Sequence, residues 1–244
     1  MDILKKISAI GAELIFPSGC VLCGTMLMGA RETIDGLCEN CAKGFGIDEG
    51  DRCNLCGRPL ISEIEFCLGC RESIVEDPDG EKTAIRPAYD RLISLFPYTG
   101  RYRELLWAFK YGKSSGAARF FAAKLLEAVK LFELENPVLV PAPPRPGKIR
   151  KTGWDQIERL AGIMSRRIPV SRCLIRLAQE TQKSLHRQER KVNLKGRIRA
   201  RKKVPRVSVL FDDVITTGST MDACAAALKA AGAEKVYGIC LVYD

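Results

Sequence analysis

Two adjacent aspartates, Asp212 and Asp213, follow a run of apolar and β-branched residues over 207–211. Such a run is typical of a strand that is buried on both faces, as in a parallel sheet. The next residues form a turn of small hydroxyl side chains with one glycine: Thr216, Thr217, Gly218, Ser219 and Thr220. A turn like this presents unpaired backbone N–H groups at the start of a helix, where anions bind. Carboxylates beside it suit a ligand that carries both a phosphate and vicinal hydroxyls, such as a phosphorylated ribose.

Eight of the eleven cysteines form four Cys-x-x-Cys pairs: Cys20 and Cys23, Cys38 and Cys41, Cys53 and Cys56, and Cys67 and Cys70. In a reducing compartment such pairs indicate metal binding rather than disulfides, and two pairs make one closed tetrahedral zinc site. We therefore predict two structural zinc ions. Consecutive pairing along the chain is the simplest assignment, and a cross-braced arrangement stays open. The module either only stabilises the fold or also presents a surface to a partner.

The remaining elements predict an α/β fold with a parallel sheet flanked by helices. Strands are expected over 92–98, 137–140, 207–211 and 236–242, with helices over 102–111, 117–132, 156–167 and 221–231. The loop after the second strand contains Pro143, Pro144 and Arg145 and is followed by further basic residues. This loop should lie at the carboxyl edge of the sheet, where its cations can hold a pyrophosphate. The domains are predicted as an N-terminal helix with the zinc module over 1–75, a linker over 76–88, and the sheet domain over 89–244.

Positive charge is concentrated in one part of the chain. The whole sequence holds 39 Lys and Arg against 29 Asp and Glu, whereas residues 145–206 alone hold 20 against 4. Such a segment indicates a polyanionic partner or a phosphate-rich ligand, the alternative being a solvated cationic face. The cations that we expect to follow a nucleic-acid backbone are Arg187, Arg190, Lys191, Lys195, Arg197 and Arg199.

No stretch approaches the roughly 18 consecutive apolar residues that span a bilayer. Charged residues interrupt the amphipathic N-terminal stretch 1–16 too often for a secretory signal. We therefore expect a cytoplasmic protein that reaches membranes only through partners. His186, the only histidine, has no indicated catalytic partner, and Cys173, Cys224 and Cys240 are expected to be buried as small apolar residues.

The segment from 207 to 220 closely resembles the phosphoribosyl pyrophosphate motif of type I phosphoribosyltransferases. The resemblance implies that Asp212 and Asp213 bind the ribose hydroxyls with Mg²⁺, and that residues 216–220 surround the 5′-phosphate. In those enzymes the part corresponding to the basic run after residue 176 is a mobile loop that closes over the active site, and such lids exclude water.

Nearly the whole chain resembles the ComF family of competence-associated proteins, in which a cysteine-rich zinc module precedes a phosphoribosyltransferase domain. The shared features are Phe16-Pro17 before the first cysteine pair, Tyr98, Gly100 and Lys110-Tyr111, the entry from Val138 to Pro141, Gly153-Trp154-x-Gln156, and the spacing of Gln182, Arg190, Asn193-Leu194 and Gly196.

This chain also departs from the ComF pattern. It has Thr152 and Asp155 where the family usually has arginine and asparagine, so it loses one cation and gains an acid there, and the aromatic residue expected after Gly196 is absent.

The resemblance implies a role in DNA uptake and natural transformation, in which the protein handles single-stranded DNA and contacts uptake or helicase machinery at the membrane. The alternative is an active phosphoribosyltransferase that acts on a nitrogenous base.

Overall fold

The computed structural model describes residues 19–62, 64–71, 74–76, 82–84, 87–178 and 196–244. In chain order the described elements are α1 (Ala30–Asp35), α2 (Glu39–Ala42), α3 (Leu68–Arg71), β1 (Ile74–Glu76), β2 (Lys82–Ala84), β3 (Arg91–Pro97), α4 (Gly100–Lys110), α5 (Ser115–Lys130), β4 (Val138–Pro141), α6 (Lys148–Thr152), α7 (Gln156–Met164), β5 (Leu174–Arg176), β6 (Ile198–Ala200), β7 (Val207–Ile215), α8 (Ser219–Ala230) and β8 (Lys235–Tyr243).

The centre of the molecule is a four-stranded parallel sheet with the order β3-β8-β7-β4. All four strands are rich in buried apolar residues, as expected when both faces of a parallel sheet are covered. The predicted α/β class, with a parallel sheet flanked by helices, is confirmed. Because the strands run parallel, their carboxyl ends meet at one edge of the sheet, where ligands bind in such folds.

Helices cover both faces of this sheet. On one face lie α4, α5 and α7, and on the other lie α8 and the antiparallel β5–β6 hairpin. In α7 the apolar residues Ile157, Leu160, Ala161 and Met164 recur at helical spacing and are all buried. This periodicity places one apolar stripe against the sheet and leaves the opposite face of the helix in solvent.

β7 extends farther than the sequence predicted. We expected the strand to end at Phe211 with the acidic pair after it, but pairing with β8 continues to Ile215. The aspartates therefore lie inside the strand, because Val214 and Ile215 still add apolar contacts and backbone bonds to β8. Since successive residues of a strand point to opposite faces, the side chains of Asp212 and Asp213 start from opposite faces of the sheet.

The cysteine-rich module packs directly on the sheet domain. Leu37 and Phe45 enter the core that contains α4 and α5, whereas Cys53, Cys56 and Cys67 enter the core on the other face. Between this module and the sheet domain, β1 and β2 pair as a short antiparallel hairpin that crosses the predicted boundary between the zinc module and the linker. The predicted domain boundaries at 75 and 89 stay predictions.

Both edges of the parallel sheet are covered. The β4 edge pairs with Val170 through Leu139, and on the β3 edge the backbone N–H of Ser94 donates to the carbonyl of Gly57, directly after the third cysteine pair. Covered edges protect a sheet against pairing with other chains. Among the described residues, no helix combines the length and the apolar character needed to cross a bilayer.

Candidate functional site at the carboxyl edge of the sheet

Asp213 is held by two side chains that the sequence analysis had not assigned to the site. Its Oδ2 atom lies 2.8 Å from Lys110 Nζ at the end of α4 and accepts a 2.6 Å hydrogen bond from Gln156 Nε2 at the start of α7. The residue is 8% exposed. A buried carboxylate requires such partners, so Lys110 balances its charge when no ligand is bound.

Asp212 lies in a different environment from its neighbour. Its Oδ1 accepts a 2.8 Å hydrogen bond from the backbone N–H of Asp213, and the residue is half-buried. Burial, together with the negative charge of Asp213, raises the pKa of Asp212 to about 8. The side chain is therefore largely protonated at neutral pH until a cation or another donor approaches.

A chain of polar contacts continues from Asp213 along the start of α7. Lys148 Nζ contacts Asp155 Oδ2 at 2.6 Å and also donates to Gln156 Oε1. Asp155 is buried and caps α7 by accepting from the N–H groups of Ile157 and Glu158. The acid that distinguishes this chain from the ComF pattern thus acts as a helix cap and holds Lys148 rather than projecting an uncompensated charge.

The hydroxyl-rich turn forms the N-terminus of α8, as the sequence predicted. Gly218 is the N-cap with a φ of 71°, a conformation that favours glycine, and Thr217 Oγ1 lies 2.8 Å from Ser219 Oγ. Residues 214–221 line a small cavity of about 30 Å³ within this turn. The first residues of a 12-residue helix line this cavity, and the unpaired N–H groups of a helix N-terminus favour anions.

A larger cleft of about 570 Å³ joins these groups. Its lining combines the predicted pyrophosphate loop, the acidic pair and the hydroxyl turn: Pro143, Pro144, Arg145, Asp212, Asp213, Thr216 and Thr220. Three further cations from other parts of the chain complete it: Lys110, Lys148 and Arg176. A second groove of about 420 Å³ continues past Arg145 and Arg176. Burial and the nearby Arg145 lower the pKa of Arg176, so an anion placed between the two guanidinium groups would be stabilised.

The eight paired cysteines form two sets, which decides between the two possible pairings. One set is Cys20, Cys23, Cys38 and Cys41, and the other is Cys53, Cys56, Cys67 and Cys70, with all sulfur atoms of a set within 4.8 Å of one another. The pairing is consecutive rather than cross-braced. The sulfurs of Cys23 and Cys38, and those of Cys56 and Cys67, are 3.7 Å apart. Tetrahedral zinc with sulfur at about 2.3 Å requires about 3.8 Å, so both sets fit zinc.

Most of the predicted nucleic-acid contacts lie outside the described residues: Arg187, Arg190, Lys191 and Lys195, together with His186. Arg197 and Arg199 are described, and Arg199 is exposed on β6 of the hairpin beside the cleft. Cys173, Cys224 and Cys240 are buried, as expected.

Sequence reasoning missed the roles of Lys110, Gln156 and Arg176. Lys110 and Gln156 belong to short motifs that carried the family resemblance, and Arg176 belongs to the basic run. These motifs were the available signal, but nothing local connects them to an aspartate dozens of residues away.

Comparison with known proteins agrees with this architecture. Residues 11–72 match the model of the double zinc ribbon domain. The DNA utilization protein YhgH of Escherichia coli K12 is 28% identical over 221 residues, which cover 86% of this chain and 97% of that protein. Competence protein F of Haemophilus influenzae is 26% identical and covers 89% of this chain and 93% of its own length. Competence protein ComFC of Streptococcus pneumoniae is 23% identical and covers 91% and 99%. The predicted resemblance to the ComF proteins is confirmed over most of the chain.

Proposed function

We propose that this chain, a relative of the ComF competence proteins over most of its length, acts in DNA uptake or utilisation. In this role its sheet domain binds phosphoribosyl pyrophosphate or a similar phosphosugar with Mg²⁺, and its basic surface handles single-stranded DNA. The names of relatives that cover at least 86% of the chain support the first part. The lining of the cleft supports the proposed phosphosugar site, and the positive charge of residues 145–206 supports the handling of DNA.

The observation that carries the ligand proposal is the charge distribution around the cleft. Groups that suit anions come from two parts of the cleft lining: the hydroxyl-rich turn at the N-terminus of α8, and the side chains of Arg145 and Arg176. The acidic groups of Asp212 and Asp213 line the same cleft. A ligand with a phosphate at each end and hydroxyls between them can satisfy all of these groups, because carboxylates accept hydrogen bonds from hydroxyls and cations bind phosphates.

Mg²⁺ suits the same set of groups. Carboxylate oxygens and phosphate oxygens are its usual ligands, and it retains several waters. Lys110 would occupy part of this role in the free protein, since its ammonium already balances Asp213. The raised pKa of Asp212 means that binding of a cation there releases a proton.

Calorimetry with phosphoribosyl pyrophosphate and Mg²⁺ tests the pocket. We expect saturable binding by the natural chain and at least about tenfold weaker binding by Asp212→Asn and Asp213→Asn, because each variant removes a charge-assisted contact. Glu127→Gln, an exposed residue on α5, is the matched control and should bind normally. Repeating the titration in buffers of different ionisation enthalpy should show proton release. Absence of binding by the natural chain would refute the pocket.

The DNA proposal draws on the positive charge of residues 145–206, whose described part includes exposed Arg150, Lys151 and Arg199. Binding of single-stranded DNA should weaken steeply with salt, because phosphate contacts release counterions. A log–log slope near zero would remove this part. The zinc module is proposed to contact the uptake or helicase machinery at the membrane, on the cytoplasmic side.

Transfer of the phosphoribosyl group to a nitrogenous base is the second candidate function. The observation that favours it is the set of cations along the cleft, which can stabilise charge on a departing pyrophosphate. Release of pyrophosphate when candidate bases are offered with the phosphosugar distinguishes turnover from binding alone. Binding without release under all acceptors would leave the chain as a ligand-dependent DNA-handling protein.

A further inference from the structure

An exposed aromatic pair lies on α4, outside the cleft. Trp107 is 53% exposed and Tyr111, directly after the helix, is 72% exposed. The centroids of their rings are 5.3 Å apart and the ring planes meet at 65°. Arg103 is exposed one turn before Trp107, so that Arg103, Trp107 and Tyr111 follow one another at intervals of four residues on the helix surface. We call these three residues the α4 face.

The indole of Trp107 is fixed in place. Its Nε1–H donates a 2.9 Å hydrogen bond to the hydroxyl of Tyr98, which follows the carboxyl end of β3. The polar atom of the indole is therefore already satisfied, and what Trp107 offers to solvent is its aromatic surface. A rigid ring loses little conformational entropy when a flat group stacks on it.

The surroundings of the pair are positively charged. Residues 100–113 contain four cations, Arg101, Arg103, Lys110 and Lys113, and one acid, Glu104. The Lys113 ammonium lies 5.9 Å from the ring centre of Trp154, which joins α4 to the basic helix α6 with exposed Arg150 and Lys151. A positively charged surface of this kind favours a polyanion over a basic or a purely apolar protein partner.

The α4 face adjoins a residue that lines the cleft. Lys110, one turn after Trp107 on the same helix, reaches Asp213 at 2.8 Å. Tyr98, which holds Trp107, stands at the carboxyl end of the sheet, the edge that carries the acidic pair. A chain of nucleotides on this face would therefore pass next to the phosphosugar cleft.

We infer that the α4 face is a base-stacking surface for single-stranded nucleic acid. This inference rests on the proposed function in DNA handling and assigns a surface that the sequence analysis did not consider. Exposed aromatic rings beside cations are how proteins bind single strands without regard to sequence, since every base has a flat face and every nucleotide a phosphate. Duplex DNA hides its base faces and should bind less well.

The test compares two strands of equal charge on the purified full chain: an oligothymidylate of about 20 nucleotides and an abasic strand of the same length. The natural chain should prefer the strand with bases. Trp107→Ala should weaken its binding about 5- to 150-fold, the range found for loss of one stacking ring, and should leave abasic binding unchanged. Trp107→Phe should retain most of the affinity. Met26→Ala, an equally exposed apolar residue on the zinc module, is the matched control and should bind like the natural chain.

Charge is separated from stacking by salt. Arg103→Ala should make the salt dependence less steep, whereas Trp107→Ala should keep the slope and shift only the affinity. Equal binding of oligothymidylate by the natural chain and Trp107→Ala would overturn the inference and leave the proposed function standing. Absence of single-strand binding by the natural chain would overturn both. A change of oligomeric state in Trp107→Ala, measured by light scattering, would assign the α4 face to a second copy of the chain and also overturn it.

Discussion

The two zinc ribbons share one local design but attach to the sheet domain by different means. In the first, Cys20 N–H bonds Thr25 O and Gly24 N–H bonds Cys20 O, each at 2.8 Å. In the second, the corresponding bonds run from Cys53 to Arg58 and from Gly57 to Cys53, at 2.9 and 2.8 Å. Both glycines have positive φ, 73° for Gly24 and 68° for Gly57, a conformation that favours glycine.

The first ribbon attaches mainly through side chains. Phe45 is buried among Phe96, Tyr102 and Phe120, with ring centres 5.0 to 5.6 Å apart. The backbone of Gly36 also lies directly against that of α5, at Gly116. This attachment is a small apolar core, in which the area buried supplies the stability.

The second ribbon attaches through its backbone to the edge of the sheet. The N–H of Ser94 bonds Gly57 O at 3.0 Å, and the Ser94 hydroxyl donates to Cys56 O at 2.7 Å. Tyr89 donates its hydroxyl to Leu55 O and lies beside the turn that contains Gly218. One copy of the motif therefore extends the core, whereas the other finishes a sheet edge and lies, through Tyr89, near the hydroxyl-rich turn.

Loss of a zinc ligand should separate the two ribbons most clearly. Cys56→Ser removes a buried ligand and should lower the free energy of unfolding by about 4 kcal/mol or more, because loss of a structural metal is among the largest single effects. Phosphosugar affinity should fall with it. Cys23→Ser, at an exposed position of the first ribbon, should also reduce bound zinc from two ions to one but leave phosphosugar affinity within about twofold. Zinc content, thermal unfolding and calorimetry measure the three quantities. Equal loss of affinity in both variants would contradict the proposed difference.

Gly24 and Gly57, which follow the first cysteine pair of each ribbon, allow a matched comparison. A Cβ on Gly57 would lie 2.2 Å from the carbonyl oxygen of Leu92, whereas a Cβ on Gly24 meets nothing within 4 Å. Gly57→Ala should therefore cost about 3 kcal/mol of unfolding free energy, and Gly24→Ala only the roughly 1 kcal/mol of a positive φ. Denaturant unfolding of the two variants gives the comparison. Similar costs would mean that the second ribbon does not depend on its contact with β3.

Asp212 in the cleft makes the stability of the whole protein depend on pH, and this dependence is the same in every ribbon variant. Asp212 has its pKa raised to about 8 in the folded chain, against an ordinary value near 4, so the folded state holds a proton that the unfolded state has lost. Its contribution to stability therefore declines as pH rises from about 4 to about 8, by at most about 1.4 kcal/mol per pH unit. Asp212→Asn should flatten the stability profile over this window. An unchanged profile would show that Asp212 is ionised in the free protein.

The smallest contrast concerns one hydrogen bond on each ribbon. Ser94→Ala removes the donor to Cys56 O in a fully buried place and should cost about 1–2 kcal/mol, since the carbonyl loses a partner that water cannot replace. Tyr102→Phe removes the 3.0 Å bond to Gly44 O near the surface and should cost about 0.5 kcal/mol. Thermal unfolding under identical conditions measures both. A larger effect in Tyr102→Phe would contradict the conclusion that hydrogen bonds matter more for attaching the second ribbon than the first.

The fold was largely predictable from the sequence, whereas the site was predictable only in part. Buried strands and amphipathic helices repeat at short spacing, so their positions agree with the structure within a few residues, and only β7 was markedly too short. Its continuation could not be seen because two aspartates interrupt the apolar run, and only pairing with β8 shows that the strand carries on through them. The cleft's acids and hydroxyl turn were found because they lie within one stretch of nine residues.

The sequence by itself determined the chemistry that depends on near neighbours: cysteines separated by two residues that can bind zinc, an acidic pair after an apolar run, and a hydroxyl-rich turn at the start of a helix. Tertiary structure alone decided which cysteine pairs come together, that Lys110 and Gln156 hold Asp213, and that one ribbon finishes the edge of the sheet. The physical reason is distance along the chain. Short spacing restricts which groups can meet before folding, whereas contacts between distant segments are selected only when the whole core packs.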